Sequence, residues 1–306
     1  MAKQGPFEAD RNFHSEKEDN VKGDTYSLAG RTVRRVGFGA MQLPGSGVFG
    51  PPRDRGQALA VLRRAVEAGV NHIDTAQFYG PNVANGLIHE ALFPYPGDLV
   101  LVTKVGAARD ERGGWAPAQR PEELRTGVEA NLRSLELDQI SVVNLRRLPT
   151  ADVEFGDQLD AMLEMRDEDI IGGIGLSNVT LDEYQAARAR TEIACVQNAF
   201  SVADRSGQAI FDACQQDGVP FVPFFPLGSA FAPDNPVLGA AAVRDAGTRI
   251  GATPAQVALA WLLHLADSVL LIPGTSSLQH LEENLSVGSL ELDGDAMAAL
   301  DRVGLS

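Results

Sequence analysis

The chain has little cysteine, no long apolar run and no excess of positive charge. Only two of its 306 residues are cysteines, Cys195 and Cys214. They form no CxxC pair and sit in no cluster with metal-ligand spacing, so no metal site is expected. Cys195 falls in an apolar strand-like run and Cys214 in a helix-like one, and both read as small core residues, not nucleophiles. Such cysteine usage fits a reducing cytoplasm. No stretch of 18 or more apolar residues occurs, which excludes a membrane-spanning helix. Lys and Arg number 26 against 41 Asp and Glu, a net charge of −15. That balance argues against broad binding to nucleic acid or to an anionic membrane. An anionic small molecule is still permitted, because a local set of Arg, Lys and helix N-termini can oppose the global field. The opening "MAKQGPFEADRNFHSEKEDNVKGD" lacks the apolar centre and small-residue cleavage site of a secretory signal. Residues 1–23 are polar, with little to bury, and are expected to form a flexible tail before one domain over 24–306.

What the chain does have is a period. It is 44% hydrophobic and 22% charged, enough for a sizeable core. Short apolar runs recur from residue 25: "RRVGF", "VNHID", "LVLVT", "ISVVNL", "IGGIGL", "IACVQN", "PFVPF" and "VLLI", eight in all. Amphipathic segments lie between them. Asp54 is placed to cap the first and Gly69 to end it. Leu124, Val128, Leu132 and Leu135 make one helical stripe behind Pro121, and Thr253-Pro254 opens another helix. Strands alternating with helices imply parallel pairing. Eight such units point to a single (β/α)₈ TIM barrel. "YSLAGRTV" predicts a small hairpin ahead of the first barrel strand, able to plug the N-terminal mouth. The competing architecture, an open doubly wound sheet, lacks its glycine fingerprint: "GFGAMQ" has Gly37 and Gly39 but no third glycine at position 42.

A barrel carries its chemistry at the C-terminal strand ends. There the chain places Asp74, Lys104, Arg146, Ser177-Asn178, Gln197 and Phe224, with Tyr79 in the loop after Asp74. Singly, each has a structural reading: a turn-capping Asp, a packing Tyr, a solvated Lys. Together they form a proton-donating unit. A tyrosine is a weak acid near neutrality, and a neighbouring ammonium favours its ionised form. An Asp paired with that ammonium fixes it and keeps it charged. His72, on the same strand side as Asp74, reads as a packed barrel-lining residue.

These motifs resemble the aldo-keto reductase superfamily: "GVNHIDTAQFYG", "VTKVG", "IGLSN" and "IPGTSSLQHLEENL" stand in order at the strand ends. Within it, "GAMQLPGSGVFGPPRD", "NHIDTAQFYGP", "VVNLR" and "VPFFPLG" look most like the bacterial pyridoxal reductase branch. The resemblance, over about residues 24–304, implies a nicotinamide cofactor, usually NADPH and less often NADH, at the C-terminal mouth. It implies Tyr79 as general acid, supported by Lys104 and Asp74. Ser177, Asn178 and Gln197 match positions that hold the nicotinamide carboxamide, and Phe224 the aromatic that stacks on its ring. Read without the resemblance, Ser177-Asn178 is a helix cap and Phe224 is core. Gly39, Ala40 and Met41 are implied beside the cofactor. Phosphate contacts are implied at Pro226, Leu227, Gly228 and Ser229, and at Gly274, Thr275, Ser276 and Ser277 before a helix N-terminus. Glu283 and Asn284 match adenine-reading positions. Many relatives carry Lys at Gly274 and Arg at His280, so here the 2′-phosphate is left to hydroxyls and helix N–H groups.

One position departs from the pattern. Where the superfamily usually ends its fourth strand in His, the chain has Arg146, and none of its five histidines is near. Arginine does not relay a proton, but it donates hydrogen bonds to a growing alkoxide. A salt-bridged Arg146 is the alternative. Trp115, in a long loop after the third strand, and Phe49 are candidate substrate contacts. The implied substrate is a small aldehyde or ketone, pyridoxal or another aromatic aldehyde. A cofactor-binding regulatory protein of the same fold is the rival function. No interface helix stands out, so monomer is the default.

Overall fold

β1 (Thr25–Leu28) and β2 (Arg31–Arg34) pair antiparallel about Ala29 and Gly30, both at positive φ. That is the geometry a two-residue hairpin turn needs. The computed structural model describes residues 24–148, 152–228 and 235–305. The segment 1–23, expected to be a tail, lies outside them. The hairpin is tied to the lower barrel rim. The Arg34 N–H donates to Asn71 Oδ1 (2.8 Å), the Tyr26 hydroxyl to the Gly218 carbonyl (3.2 Å) and the Arg31 guanidinium to the Gly97 carbonyl. Leu28 and Val33 pack with Val100, Val102, Val142, Cys195, Val222 and Leu270, which fill the barrel interior. The hairpin therefore plugs the N-terminal mouth.

The barrel follows in chain order. It is built from β3 (Phe38–Gly39), β4 (His72–Asp74), β5 (Val100–Arg109), β7 (Ile140–Arg146), β8 (Ile171–Ser177) and β9 (Val196–Gln197), each parallel to the next. β6 (Trp115–Ala118) pairs antiparallel with the outer half of β5. Residues 220–224 and 269–272 complete the ring through parallel bridges from Val196 to Phe221, Phe221 to Val269, and Leu271 back to Val36. The closure is hydrogen-bonded: Leu270 N donates to Phe221 O (3.0 Å), Leu271 N to Arg35 O (2.7 Å) and Gly37 N to Leu271 O (2.8 Å). All eight expected runs take their places, and the open-sheet alternative is ruled out.

Eleven helices clothe the described barrel: α1 (Arg55–Glu67), α2 (Val83–Leu92), α3 (Pro121–Leu135), α4 (Phe155–Asp167), α5 (Leu181–Arg188), α6 (Gln208–Asp217), α7 (Pro236–Gly239), α8 (Ala241–Ile250), α9 (Pro254–Leu265), α10 (Leu278–Leu285) and α11 (Gly294–Asp301). Asp54 caps α1 by accepting from Gln57 N (2.9 Å), and Thr253 caps α9 with Pro254 at its first position. The cap of α5 is Thr180, not Ser177-Asn178. β8 carries Ser177 up to the rim first, and the capping box of Thr180 and Glu183 starts the helix three residues later. The apolar helix stripes bury against the outward faces of the strands.

Both cysteines are free and buried, and burial pushes each thiol up to about 12. His72 is enclosed by the barrel in the space left by Gly37. Burial, against the pull of Asp74, lowers its pKa to about 4. The unfolded chain takes up this proton near 6.5, the folded one only near 4. His72 thus favours folding above pH 6.5, and that advantage, about 3 kcal/mol, is lost as pH falls toward 4. Urea unfolding across this range should show the loss, and His72→Leu should flatten it.

Candidate active site

The upper end of the barrel holds two opposite charges that burial forces to pair. Asp74 ends β4, Lys104 lies on β5, and both are almost fully enclosed. The Lys104 ammonium donates to Asp74 Oδ1 and to the Thr75 carbonyl (3.3 Å). Gln197, at the end of β9, donates its amide to Asp74 Oδ2 (2.9 Å). Tyr79 arrives from the loop after β4, with its ring centroid 5.1 Å from the Lys104 nitrogen and the Phe78 ring edge-on at 5.3 Å. Burial alone would push the Lys104 ammonium down. The charge of Asp74, then that of Tyr79 with hydrogen bonds from both, more than offsets it and holds Lys104 above its ordinary value. The lysine is a fixed cation at neutral pH.

Arg146 ends β7, half-buried at the same rim. One guanidinium nitrogen lies 3.4 Å from the buried Ser177 hydroxyl, and its carbon is 5.3 Å from the Phe224 centroid. Among the described residues it forms no ion pair, unlike its neighbour. Arg147 pairs with Glu183 (2.9 Å) and donates to Gln158 (2.8 Å), while Gln119 donates to the Arg146 carbonyl (3.3 Å). Gly106 sits at φ +105°, where a Cβ would strike that same carbonyl. Gly106, Gln119, Gln158 and Arg147 thus set where Arg146 emerges. Sequence reasoning passed over them, and the doubled arginine of "NLRR" was the one available signal.

The groups open into one cavity of about 490 Å³. Of the expected residues, Gly39, Met41, Asp74, Tyr79, Lys104, Trp115, Arg146, Gln197, Phe224, Pro226, Leu227, Gly228 and Gly274 line it. Gln42, Phe78, Leu148, Phe225 and Asn235 line it too and were not foreseen. Ala40 is buried in the core beside the cavity. Ser177 lies behind Arg146, and Asn178, at φ +57°, spends its amide nitrogen on the Arg147 carbonyl (2.9 Å). Thr275 and Ser276 lead to Ser277, the cap of α10, and Glu283 and Asn284 lie in its last turn. Ser229 lies outside the described residues.

The long loop expected around Trp115 is instead the β5–β6 ribbon, because β5 continues past the barrel rim to Arg109 and pairs back on itself. Trp115 packs edge-on to Phe78 (5.7 Å) and over the Arg109 guanidinium (4.1 Å). The Arg109 guanidinium also lies over the Phe49 ring, at 5.5 Å, and Phe49 packs against Gly113 rather than lining the cavity. Arg109 also donates to Gly47 O (2.7 Å) and so ties the ribbon to the segment before α1.

Residues 35–304 match the aldo/keto reductase family. The chain belongs to that family. It is 47% identical to pyridoxine 4-dehydrogenase of Escherichia coli K12 over 92% of its own length and 99% of the relative's. Among solved structures, the thermostable aldo-keto reductase Tm1743 with the inhibitor epalrestat is similar at 26% identity and a TM-score of 0.78, covering 92% of this chain and 99% of that one. An aldo-keto reductase of Klebsiella pneumoniae in complex with NADPH is similar at 25% identity and a TM-score of 0.76, covering 92% and 94%. As an aldo/keto reductase, this chain has a close approach of main chains at the mouth. A Cβ on Gly39 would strike the Ile272 carbonyl, and one on Gly274 would strike the carbonyl of Gly39. The backbone here has no room for a side chain at position 274.

Proposed function

We propose that this aldo/keto reductase is an NADPH-dependent carbonyl reductase acting on an aromatic aldehyde, with the aldehyde of pyridoxal, reduced to pyridoxine, as the leading substrate. The observation that carries the reading is the convergence on one cavity of Tyr79, the Lys104–Asp74 pair and an Arg146 that forms no ion pair among the described residues. The 47% identity to a pyridoxine 4-dehydrogenase supports the substrate class.

The residues present fit a nicotinamide dinucleotide. Gly39 and Gly274 keep the strand ends bare of side chains where they line the cavity. Phe224 would offer a flat face to the nicotinamide and Gln197 a polar group to its carboxamide, both from the cavity wall, with Ser177 and Asn178 just outside that wall, bonded to Arg146 and to the Arg147 carbonyl. Thr275, Ser276, Ser277 and the start of α10 would suit phosphate, as would the backbone of Leu227 and Gly228, which line the cavity. Glu283 and Asn284 would meet the adenine. The bound cofactor supplies the hydride.

The chain's own residues handle the oxygen. Charge growing on the carbonyl oxygen is met by the Tyr79 hydroxyl, which donates its proton. The Lys104 ammonium stabilises the negative charge left on the tyrosine oxygen, and Asp74 keeps that ammonium in place and charged. Arg146 donates to the carbonyl oxygen or to an ionised hydroxyl beside it on the ring. Trp115, Phe78 and Leu148 give the cavity walls that would flank a planar substrate.

Loss of NADPH absorbance with pyridoxal and with 4-nitrobenzaldehyde tests the reading. Tight NADPH binding without turnover of either aldehyde would reject it. Arg146→Met should lower kcat/KM about a hundredfold, with partial recovery in Arg146→His. Unchanged aldehyde reduction in Arg146→Met would remove the donor role.

A further inference from the structure

Behind the catalytic pair lies a chain of buried amides that the chemistry above does not use. Asn85 on α2 and Asn131 on α3 are both fully buried, and neither lines the cavity. Asn131 Nδ2 donates to Gln77 Oε1 (3.1 Å) and lies 3.4 Å from the Lys104 carbonyl. Its Oδ1 accepts from Asn85 Nδ2 (2.9 Å), and Asn85 Oδ1 accepts from the Thr75 hydroxyl (2.8 Å). The two helices therefore grip the segment Thr75–Gln77 at both ends. Thr75 also gives its carbonyl to the Lys104 ammonium (3.3 Å). Between the gripped residues, the Ala76 carbonyl accepts the Tyr79 N–H (3.0 Å).

The helices carry local disadvantages at the same place. Asn131 interrupts the apolar stripe of Leu124, Val128 and Leu135, and an asparagine is a poor helix interior residue. Gly127 sits mid-helix, where glycine weakens a helix. A Cβ there would come 3.0 Å from Val105 Cγ1 and 3.3 Å from Gln77 Nε2. The missing side chain lets α3 approach β5 and Gln77 closely. Two unfavourable choices in α3 meet at the one loop that carries the general acid.

We propose that Asn131 and Asn85 are positioning residues for proton donation. They clamp Thr75–Gln77 against β5 and so set the Tyr79 hydroxyl relative to the Lys104 ammonium. The proposal rests on the carbonyl reductase reading above. Gln77, which does not line the cavity, is the link by which α3 holds the acid.

The full chain tests this in Asn131→Leu, with Ser134→Ala as control. Ser134 accepts from Asn85 (2.9 Å) but reaches no part of the loop. Asn131→Leu should lower kcat ten- to hundredfold, about the loss expected for a small misplacement of a catalytic group. Its NADPH affinity by fluorescence quenching should match wild type, and amide exchange should rise selectively over residues 75–79. Ser134→Ala should keep wild-type kcat. If Asn131→Leu does not fold, Gln77→Ala removes the same link from a half-buried site and should show the same split between kcat and affinity. Wild-type kcat in a folded Asn131→Leu or in Gln77→Ala would overturn the clamp, as would an equal loss in Ser134→Ala. Failure of wild type to reduce any aldehyde would overturn the functional reading instead, and the exchange measurement would still decide the clamp.

Discussion

Tyr79→Phe is expected to keep the fold and the NADPH affinity while kcat falls about 10²- to 10⁴-fold, the usual contribution of a positioned general acid. The ring stays, so the edge contact with Phe78 and the packing beside Lys104 persist. What leaves is the hydroxyl proposed to hand a proton to the substrate oxygen. Single-turnover measurements with saturating NADPH and aldehyde separate this loss from any change in binding. Wild-type turnover in the variant would mean that water or another group supplies the proton.

Lys104→Met is expected to damage both stability and activity. It leaves Asp74 buried with the Gln197 amide as its remaining side-chain partner and no counter-charge. Breaking a buried ion pair from one side costs about 3–5 kcal/mol. Urea unfolding measures that, and the double variant with Asp74→Asn should recover most of the stability, since no lone charge then remains. Activity should stay low in both, because the proposed proton donation by Tyr79 would leave a phenolate without its ammonium. The pH dependence has a definite sign. Lys104 is held above its ordinary value in the folded chain. Its contribution to stability is therefore complete below about pH 10.5 and is lost as pH rises through the higher folded value. Across the neutral range the wild-type pair should show no such loss, whereas His72 acts at the acid end.

Local order was well represented in the sequence. The alternation of short apolar runs with helical stripes identified eight barrel positions, and Asp54, Thr253 and the Ala29-Gly30 turn marked element boundaries that the structure keeps. These features depend on neighbours one to four residues apart, so a linear reading can find them. The strand-end rule then brought Asp74, Tyr79, Lys104 and Arg146 together, because a closed parallel barrel has one catalytic mouth. The misses have the opposite character. Asn131 meets Asn85 across 46 residues and Gln77 across 54. Arg147 reaches Glu183 across 36. No periodicity encodes such pairs. They follow from how closely two helices dock and which way each amide turns. The ribbon under Trp115 was missed for a related reason: its strands pair with each other beyond the rim, where no apolar alternation is required.

By itself, then, the sequence determined where the eight barrel strands run, that they close into a barrel, and that Asp74, Tyr79, Lys104 and Arg146 stand at its mouth. Those outcomes follow from burying apolar faces with the chain's own period. Only the tertiary structure decided how those side chains are held. It gave Gln197 to Asp74, left Arg146 without an ion pair among the described residues while pairing Arg147, and tied the tyrosine loop to two buried asparagines. Each of these is a choice of partner for a buried polar group. Such a choice depends on what lies within about 3 Å once the elements have packed, a condition set in three dimensions and absent from the order of residues along the chain.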